Sequence, residues 1–129
     1  SELVKPVPNP QVIAWIKSAP SEAVFVSVMT IGELKKGIVK LPESKKKTQL
    51  TLWFNTLLED YDERILPLDL SVAETWGIMQ GQAEQAGTPM STLDGLIAAT
   101  ASTHHLLLVT RNEDDFRPSH LPLFNPWKV

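Results

Sequence analysis

The chain has 129 residues, 43% hydrophobic and 21% charged, which suits one globular domain with a substantial apolar core. The absence of cysteine excludes disulfides and thiolate chemistry and fits a cytoplasmic protein, and no apolar run reaches the roughly 20 residues of a membrane span. Because the formal net charge is −3, any nucleic-acid contact must come from a local basic patch.

The first part of the chain alternates helical and strand patterns. Asn9-Pro10 opens a predicted helix that Ala19-Pro20 ends. The β-branched run Ala23–Val28 predicts a buried strand of a parallel sheet. Thr30-Ile-Gly-Glu33 follows at once and is predicted to open a second helix, which Leu41-Pro42 breaks.

The middle of the chain continues this alternation. Ser44 is predicted to cap a longer helix whose first turn carries three lysines. Arg64–Leu68 is predicted to be a short strand, and Pro67 places it at a sheet edge or marks its end. Ser71-Val-Ala-Glu74 has the spacing of a capping box and is expected to open a helix that lasts to about Gln85.

The stretch 90–112 is the one around which the chain is organised. A helix is expected to open at Ser91 or Thr92, with Asp94 in its first turn, and a buried strand follows at Leu106–Thr110. Some of its residues are small enough for another backbone to come close: Gly95, Ala98, Ala99 and Ala101. Polar residues 111–115 follow the strand. A carboxylate at a helix start and a polar cluster at a strand end can converge on one crevice, which suits a metal site.

The order of elements predicts the fold class. Strands that alternate with helical crossovers imply an α/β/α sandwich with a central, mainly parallel sheet covered on both faces. Ligands of such sheets bind beyond the carboxyl ends of the strands, where Thr30, Glu33 and Asn112 should lie.

The acidic candidates also have structural interpretations. Glu33 stands three residues after Thr30, and Asp94 stands three residues after Ser91. Both spacings fit a capping box, in which a first-turn acid bonds back to the cap amide and complements the helix dipole. Asp115, ahead of a phenylalanine, is equally compatible with a turn. Taken singly, these residues leave both interpretations open.

Four segments taken together are more specific. They are Ser27-Val-Met-Thr-Ile-Gly-Glu-Leu-Lys-Lys-Gly-Ile38, Asp94-Gly-Leu-Ile-Ala-Ala-Thr-Ala101, Leu108-Val-Thr-Arg-Asn-Glu-Asp-Asp-Phe116 and Phe124-Asn-Pro-Trp127. In this order and spacing they resemble the motifs of PIN-domain ribonucleases, and in particular the VapC/FitB-type toxins of bacterial toxin–antitoxin pairs. The resemblance covers essentially the whole chain.

The resemblance implies an endoribonuclease that hydrolyses RNA phosphodiester bonds with Mg²⁺ or Mn²⁺. It assigns Glu33 and Asp94 to an acidic metal site, with Thr30 as a hydroxyl that orients water or a carboxylate. At a fourth acidic position, related chains carry an acid either where Asn112 or where Asp115 stands. We favour Asp115 as the acid and Asn112 as a neutral oxygen donor. Such hard cations take oxygen ligands, which agrees with a site built without histidine or cysteine.

The resemblance also implies partners. They are an RNA substrate, a small VapB-like antitoxin that blocks the site, a second toxin copy in a homodimer, and operator DNA bound through the antitoxin complex. We expect Lys45, Lys46 and Lys47, together with Arg111, to contact RNA phosphates. A row of lysines is most often a solvated helix face.

The start of the chain departs from the family pattern. Family members begin with a strand that ends in an aspartate, in a pattern similar to Leu-Asp-Thr-Asn-Val-Ile-Ser-Glu, and this sequence starts at Ser1-Glu2 of that pattern. We therefore expect residues 1–129 to form a single PIN-like domain without that strand and aspartate, and to be inactive by themselves. The rival hypothesis is a non-catalytic module that binds RNA or an antitoxin. Metal-dependent cleavage of RNA separates the two.

Overall fold

The computed structural model describes residues 23–125 of the chain. The helix predicted after Asn9-Pro10 and the segment Pro126-Trp127 lie outside the described residues. The chain divides into two compact units, an N-terminal unit (Ser1–Leu66) and a C-terminal unit (Pro67–Val129). Within residues 23–125, no helix combines the length and apolarity that crossing a membrane requires.

The described part of the N-terminal unit has two helices beside a pair of parallel strands. The elements are β1 (Val26–Ser27), α1 (Val28–Val39), α2 (Lys45–Asp60), a 3-10 helix (Asp62–Arg64) and β2 (Ile65–Leu66). β1 and β2 pair in parallel, with Val26 opposite Ile65. The helices pack through a small apolar cluster of Leu34, Ile38 and Phe54.

The start of α1 explains why β1 is shorter than the predicted strand. The Ser27 hydroxyl accepts a hydrogen bond from the Met29 amide at 3.1 Å, so the helix begins at Val28. A serine that caps in this way satisfies one of the free amides of a helix start. The predicted helix opening at Thr30 is therefore wrong, and Thr30 lies inside the first turn.

The C-terminal unit repeats the combination of helices and parallel strands. Its described elements are α3 (Leu70–Gln85), α4 (Thr92–Thr103), β3 (Leu108–Val109), α5 (Glu113–Phe116), a 3-10 helix (Arg117–Ser119) and β4 (Leu123–Phe124). β3 and β4 pair in parallel, with Leu108 opposite Leu123. The core of this unit consists of Met90, Ala98, Ala101, Leu108 and Phe116. The predicted α/β class with parallel strands is confirmed, although the described strands are short and pair two by two.

The capping box predicted at Ser71 and Glu74 is wrong. α3 begins at Leu70 because the Asp69 carboxylate accepts a hydrogen bond from the Val72 amide at 3.0 Å. Aspartate caps a helix as well as serine does, and its charge also complements the helix dipole. An equally good cap two residues upstream therefore sets the helix start.

The contact between α3 and α4 confirms the prediction of close helix approach. The small residues of α4 are all buried: Gly95, Ala98, Ala99 and Ala101. A Cβ atom on Gly95 would lie 2.9 Å from the Trp76 indole nitrogen, which shows how closely the side chains of α3 approach the α4 backbone. Farther along, the hydroxyls of Thr75 and Thr103 are hydrogen-bonded at 3.0 Å. The helix that carries Asp94 is thus firmly held.

Candidate functional site

Asp94 lies in the first turn of α4, at a capped helix start. The Ser91 hydroxyl accepts a hydrogen bond from the Asp94 amide at 3.1 Å, which confirms the predicted cap. The reciprocal bond of a capping box, from the Ser91 amide to the Asp94 carboxylate, is absent. Among residues 23–125 the half-buried Asp94 carboxylate has no hydrogen-bond or ion-pair partner. Its oxygens are therefore available to a ligand.

Glu33 occupies a different position in its helix. Because α1 starts at Val28, Thr30 lies within the first turn and Glu33 in the second, and the first turn contains no acid. The capping-box interpretation of Glu33 is therefore wrong. Within the described residues, neither the Glu33 carboxylate nor the Thr30 hydroxyl has a hydrogen-bond partner. At a spacing of three residues the two side chains lie on the same face of α1.

The acids of α5 differ in whether their carboxylates already have a partner. Asp114 accepts a hydrogen bond from the Arg117 guanidinium at 2.6 Å, and this bond raises the pKa of Arg117. Asp115 is exposed, and its carboxylate has no partner in the described part of the chain. Asn112 caps α5 without a side-chain bond, while its amide donates to the Thr110 hydroxyl at 3.0 Å. These contacts favour Asp115 over Asp114 as an available acid.

The donor types fit a hard divalent cation, since every candidate ligand is an oxygen. Thr30 and Glu33 share α1 of the N-terminal unit, whereas Asp94, Asn112 and Asp115 belong to the C-terminal unit, in which α5 packs against α4. Within neither unit do residues 23–125 contain a group of three or more histidine, aspartate or glutamate side chains placed to hold a metal ion. The assignment of these residues to one metal site stays a prediction.

The lysines at the start of α2 are not equivalent. Ser44 caps the helix as predicted, accepting a hydrogen bond from the Lys47 amide at 3.2 Å. The Lys47 ammonium donates to the Glu43 carboxylate at 2.9 Å, whereas those of Lys45 and Lys46 have no such partner in the described residues. Cations in a first turn oppose the helix dipole, so an anion bound here would relieve an unfavourable arrangement. Arg111, also predicted to contact RNA, is exposed after β3.

Sequence reasoning missed one polar side chain that bonds to the residue just before the Ser91 cap. Gln80 on α3 is 8% exposed, and its amide nitrogen donates to the Met90 carbonyl at 2.9 Å. The available signal was periodicity, because Gln80 shares the inner face of α3 with Val72, Trp76 and Ala83. A glutamine at a core position of a helix indicates a buried hydrogen bond.

Comparison with known proteins identifies the family. Residues 2–118 match the PIN domain. The chain is 37% identical over 128 residues to toxin FitB of Neisseria gonorrhoeae, covering 98% of this chain and 92% of that protein. It is 33% identical over 132 residues to VapC ribonuclease Y4jK of Sinorhizobium fredii, covering 99% of this chain and 92% of that protein.

Comparison with solved structures identifies the same family. The structure of FitAB bound to an IR36 DNA fragment superposes with a TM-score of 0.89 at 35% identity, covering 100% of this chain and 91% of that one. The chain therefore belongs to the PIN-domain family, in the branch of the FitB and VapC toxins. This confirms the family expected from the four motifs.

Proposed function

We propose that this protein is the toxin of a toxin–antitoxin pair and that it acts as a Mg²⁺-dependent endoribonuclease. The observation that carries the proposal is the half-buried Asp94 carboxylate, which lies at a capped helix start without a partner among residues 23–125. The chain's 33% identity with a VapC ribonuclease supports RNA as the substrate.

In this proposal the acids hold the cation and polar neighbours orient the reactants. Asp94, Glu33 and Asp115 are its carboxylate ligands, and Asn112 is a neutral oxygen donor. Mn²⁺ can replace Mg²⁺ because both prefer oxygen ligands. When bound, the ion would supply Lewis acidity toward a phosphoryl oxygen and would acidify water. The Thr30 hydroxyl would orient the attacking water or a neighbouring carboxylate.

The proposed partners follow from the resemblance and from the relatives. They are an RNA substrate, a VapB-like antitoxin, a second copy of this chain and operator DNA bound through the antitoxin complex. The superposed relative is a FitAB assembly on a DNA fragment, which supports binding of DNA by a complex.

Substitution of the acids tests the proposal. We would make Asp94→Asn and Glu33→Gln in the full-length protein and assay RNA cleavage with Mg²⁺. The matched control is Glu84→Gln, an exposed acid on α3. Each acid variant should lose at least about 10- to 100-fold in rate, since a neutral amide replaces a charged carboxylate ligand, while the control keeps the parent rate. Cleavage by both acid variants at the parent rate would overturn the acidic site, and a parent that binds RNA without cutting it would establish the binding-module hypothesis.

We further propose that Lys45 and Lys46, at the start of α2, contact RNA phosphates. Replacing Lys45 and Lys46 by Gln should weaken RNA binding and reduce the slope of log affinity against log salt by about 1 to 2, because each phosphate contact releases counterions. Lys47→Gln is the matched control, since Lys47 is paired with Glu43. An unchanged slope in the double variant would show that these lysines do not contact phosphates and only form a solvated helix face.

A further inference from the structure

The peptide that joins Met90 to Ser91 is held from two directions. On one side the Met90 side chain is 5% exposed and packs in the apolar core of the C-terminal unit. On the other side the Met90 carbonyl accepts the buried 2.9 Å hydrogen bond from the Gln80 amide. A peptide group is planar, so fixing this carbonyl also fixes the amide nitrogen of Ser91.

The orientation of this peptide controls the start of α4. Ser91 is the cap residue, with φ −60° and ψ 154°, and its hydroxyl accepts from the Asp94 amide. If the peptide rotated, the serine hydroxyl would leave the amide and the first turn would fray. Asp94 belongs to that turn, so disorder of the turn would also disorder the position of its carboxylate.

The surroundings of Gln80 satisfy only one end of its side-chain amide. Within residues 23–125, its amide oxygen has no hydrogen-bond partner, and neither does the nearby Trp76 indole nitrogen. Both atoms face Gly95, where an added Cβ would lie 3.3 Å from the oxygen and 2.9 Å from the nitrogen. A buried acceptor without a partner is destabilising, and an apolar side chain of the same length would avoid it. What glutamine adds at this position is the bond to Met90.

We propose that Gln80 is a positioning residue for Asp94, acting through the Met90 carbonyl and the Ser91 cap. The proposal rests on the proposed function, in which Asp94 is a ligand of the catalytic metal. Groups that orient ligands without touching the metal typically affect metal affinity or activity by about 10- to 100-fold when they are removed.

The test replaces Gln80 by methionine, which has a similar length and cannot donate to the carbonyl. The matched control is Gln82→Met, an exposed position on the same helix. In the Gln80 variant kcat should fall about 10-fold or more and the Mg²⁺ concentration for half-maximal rate should rise, with KM for RNA unchanged. Amide hydrogen exchange at Asp94 should accelerate about 10-fold, without RNA or metal. The control should leave all four quantities at parent values.

The outcomes separate this proposal from the proposed function. Parent values of kcat, Mg²⁺ requirement and Asp94 exchange in Gln80→Met would overturn the positioning role, even if Asp94→Asn is inactive. If Asp94→Asn cuts RNA normally, the proposed function fails, and the exchange measurement still reports whether Gln80 orders the helix start. Should the methionine variant not fold, Gln80→Leu provides the second variant, because leucine also has no group that could donate to Met90. Parent exchange at Asp94 in that variant would equally overturn the proposal.

Discussion

The starts of α1 and α4 carry the same local pattern in different structural settings. Thr30-Ile-Gly-Glu33 and Ser91-Thr-Leu-Asp94 both place an acid three residues after a hydroxyl, and each acid has a glycine beside it. In α4 the pattern marks the helix start, and Ser91 caps it. In α1 the pattern lies within the helix, because Ser27 is the cap.

The difference shows that this spacing does not by itself define a helix start. The outcome depends on whether a competent cap stands upstream. Asp94 has a structural contribution as a first-turn acid, which complements the helix dipole. Glu33 lies beyond that turn and has neither a dipole role nor a partner in the described residues. The case for a chemical role is therefore simpler for Glu33, whereas for Asp94 the two contributions must be separated by experiment.

The two glycines beside the acids should give the largest contrast. Gly95→Ala places a methyl group against the Trp76 indole at 2.9 Å, so we expect a loss of about 1 to 3 kcal/mol in the free energy of unfolding. Gly32→Ala meets nothing within 4 Å on an exposed helix position and should stabilise by about 0.5 to 1 kcal/mol. Urea unfolding of both variants measures the difference. A Gly95→Ala variant as stable as the parent, or more stable, would contradict the close helix contact at Gly95.

The caps should produce an intermediate effect. Ser27→Ala and Ser91→Ala each remove a hydroxyl that accepts an amide, at a cost of about 1 kcal/mol. Thr30→Ala serves as the control, because Thr30 lies inside the helix and alanine is a better helix former, so its stability should change by less than about 0.5 kcal/mol. Thermal and urea unfolding report these values. A loss of stability in Thr30→Ala as large as that in Ser27→Ala would indicate that Thr30 is the cap.

The charges of the two acids should have the smallest effect on stability. Asp94→Asn removes a first-turn charge and should cost about 0.3 to 1 kcal/mol at low ionic strength, with a smaller loss at high salt. Glu33→Gln removes a charge outside the first turn and should change stability by less than about 0.5 kcal/mol at either salt concentration. Equal, salt-dependent losses in both variants would show that the dipole argument does not distinguish them.

Sequence reasoning succeeded where the predicted cap also lay at the start of the apolar helix pattern. Ser44 and Ser91 are the caps that the sequence predicts, and Pro67 directly follows the end of β2. It failed where two caps stood within a few residues of each other. At α1 the cap is Ser27, upstream of the predicted Thr30, and at α3 it is Asp69, two residues before the more recognisable capping box. Local patterns do not rank neighbouring caps, because the choice depends on where the preceding strand or loop leaves the chain.

The sequence by itself determined the family, the α/β class and the identity of the candidate acids, because these depend on residue types in a fixed order and spacing. Only the tertiary structure decided which acids are already engaged. Asp114 is paired with Arg117, whereas Asp94, Glu33 and Asp115 have no partner within residues 23–125. Tertiary structure also revealed Gln80, whose partner is ten residues away on another segment. Hydrogen bonds of this kind depend on how α3 packs against the start of α4, and no local pattern encodes that contact.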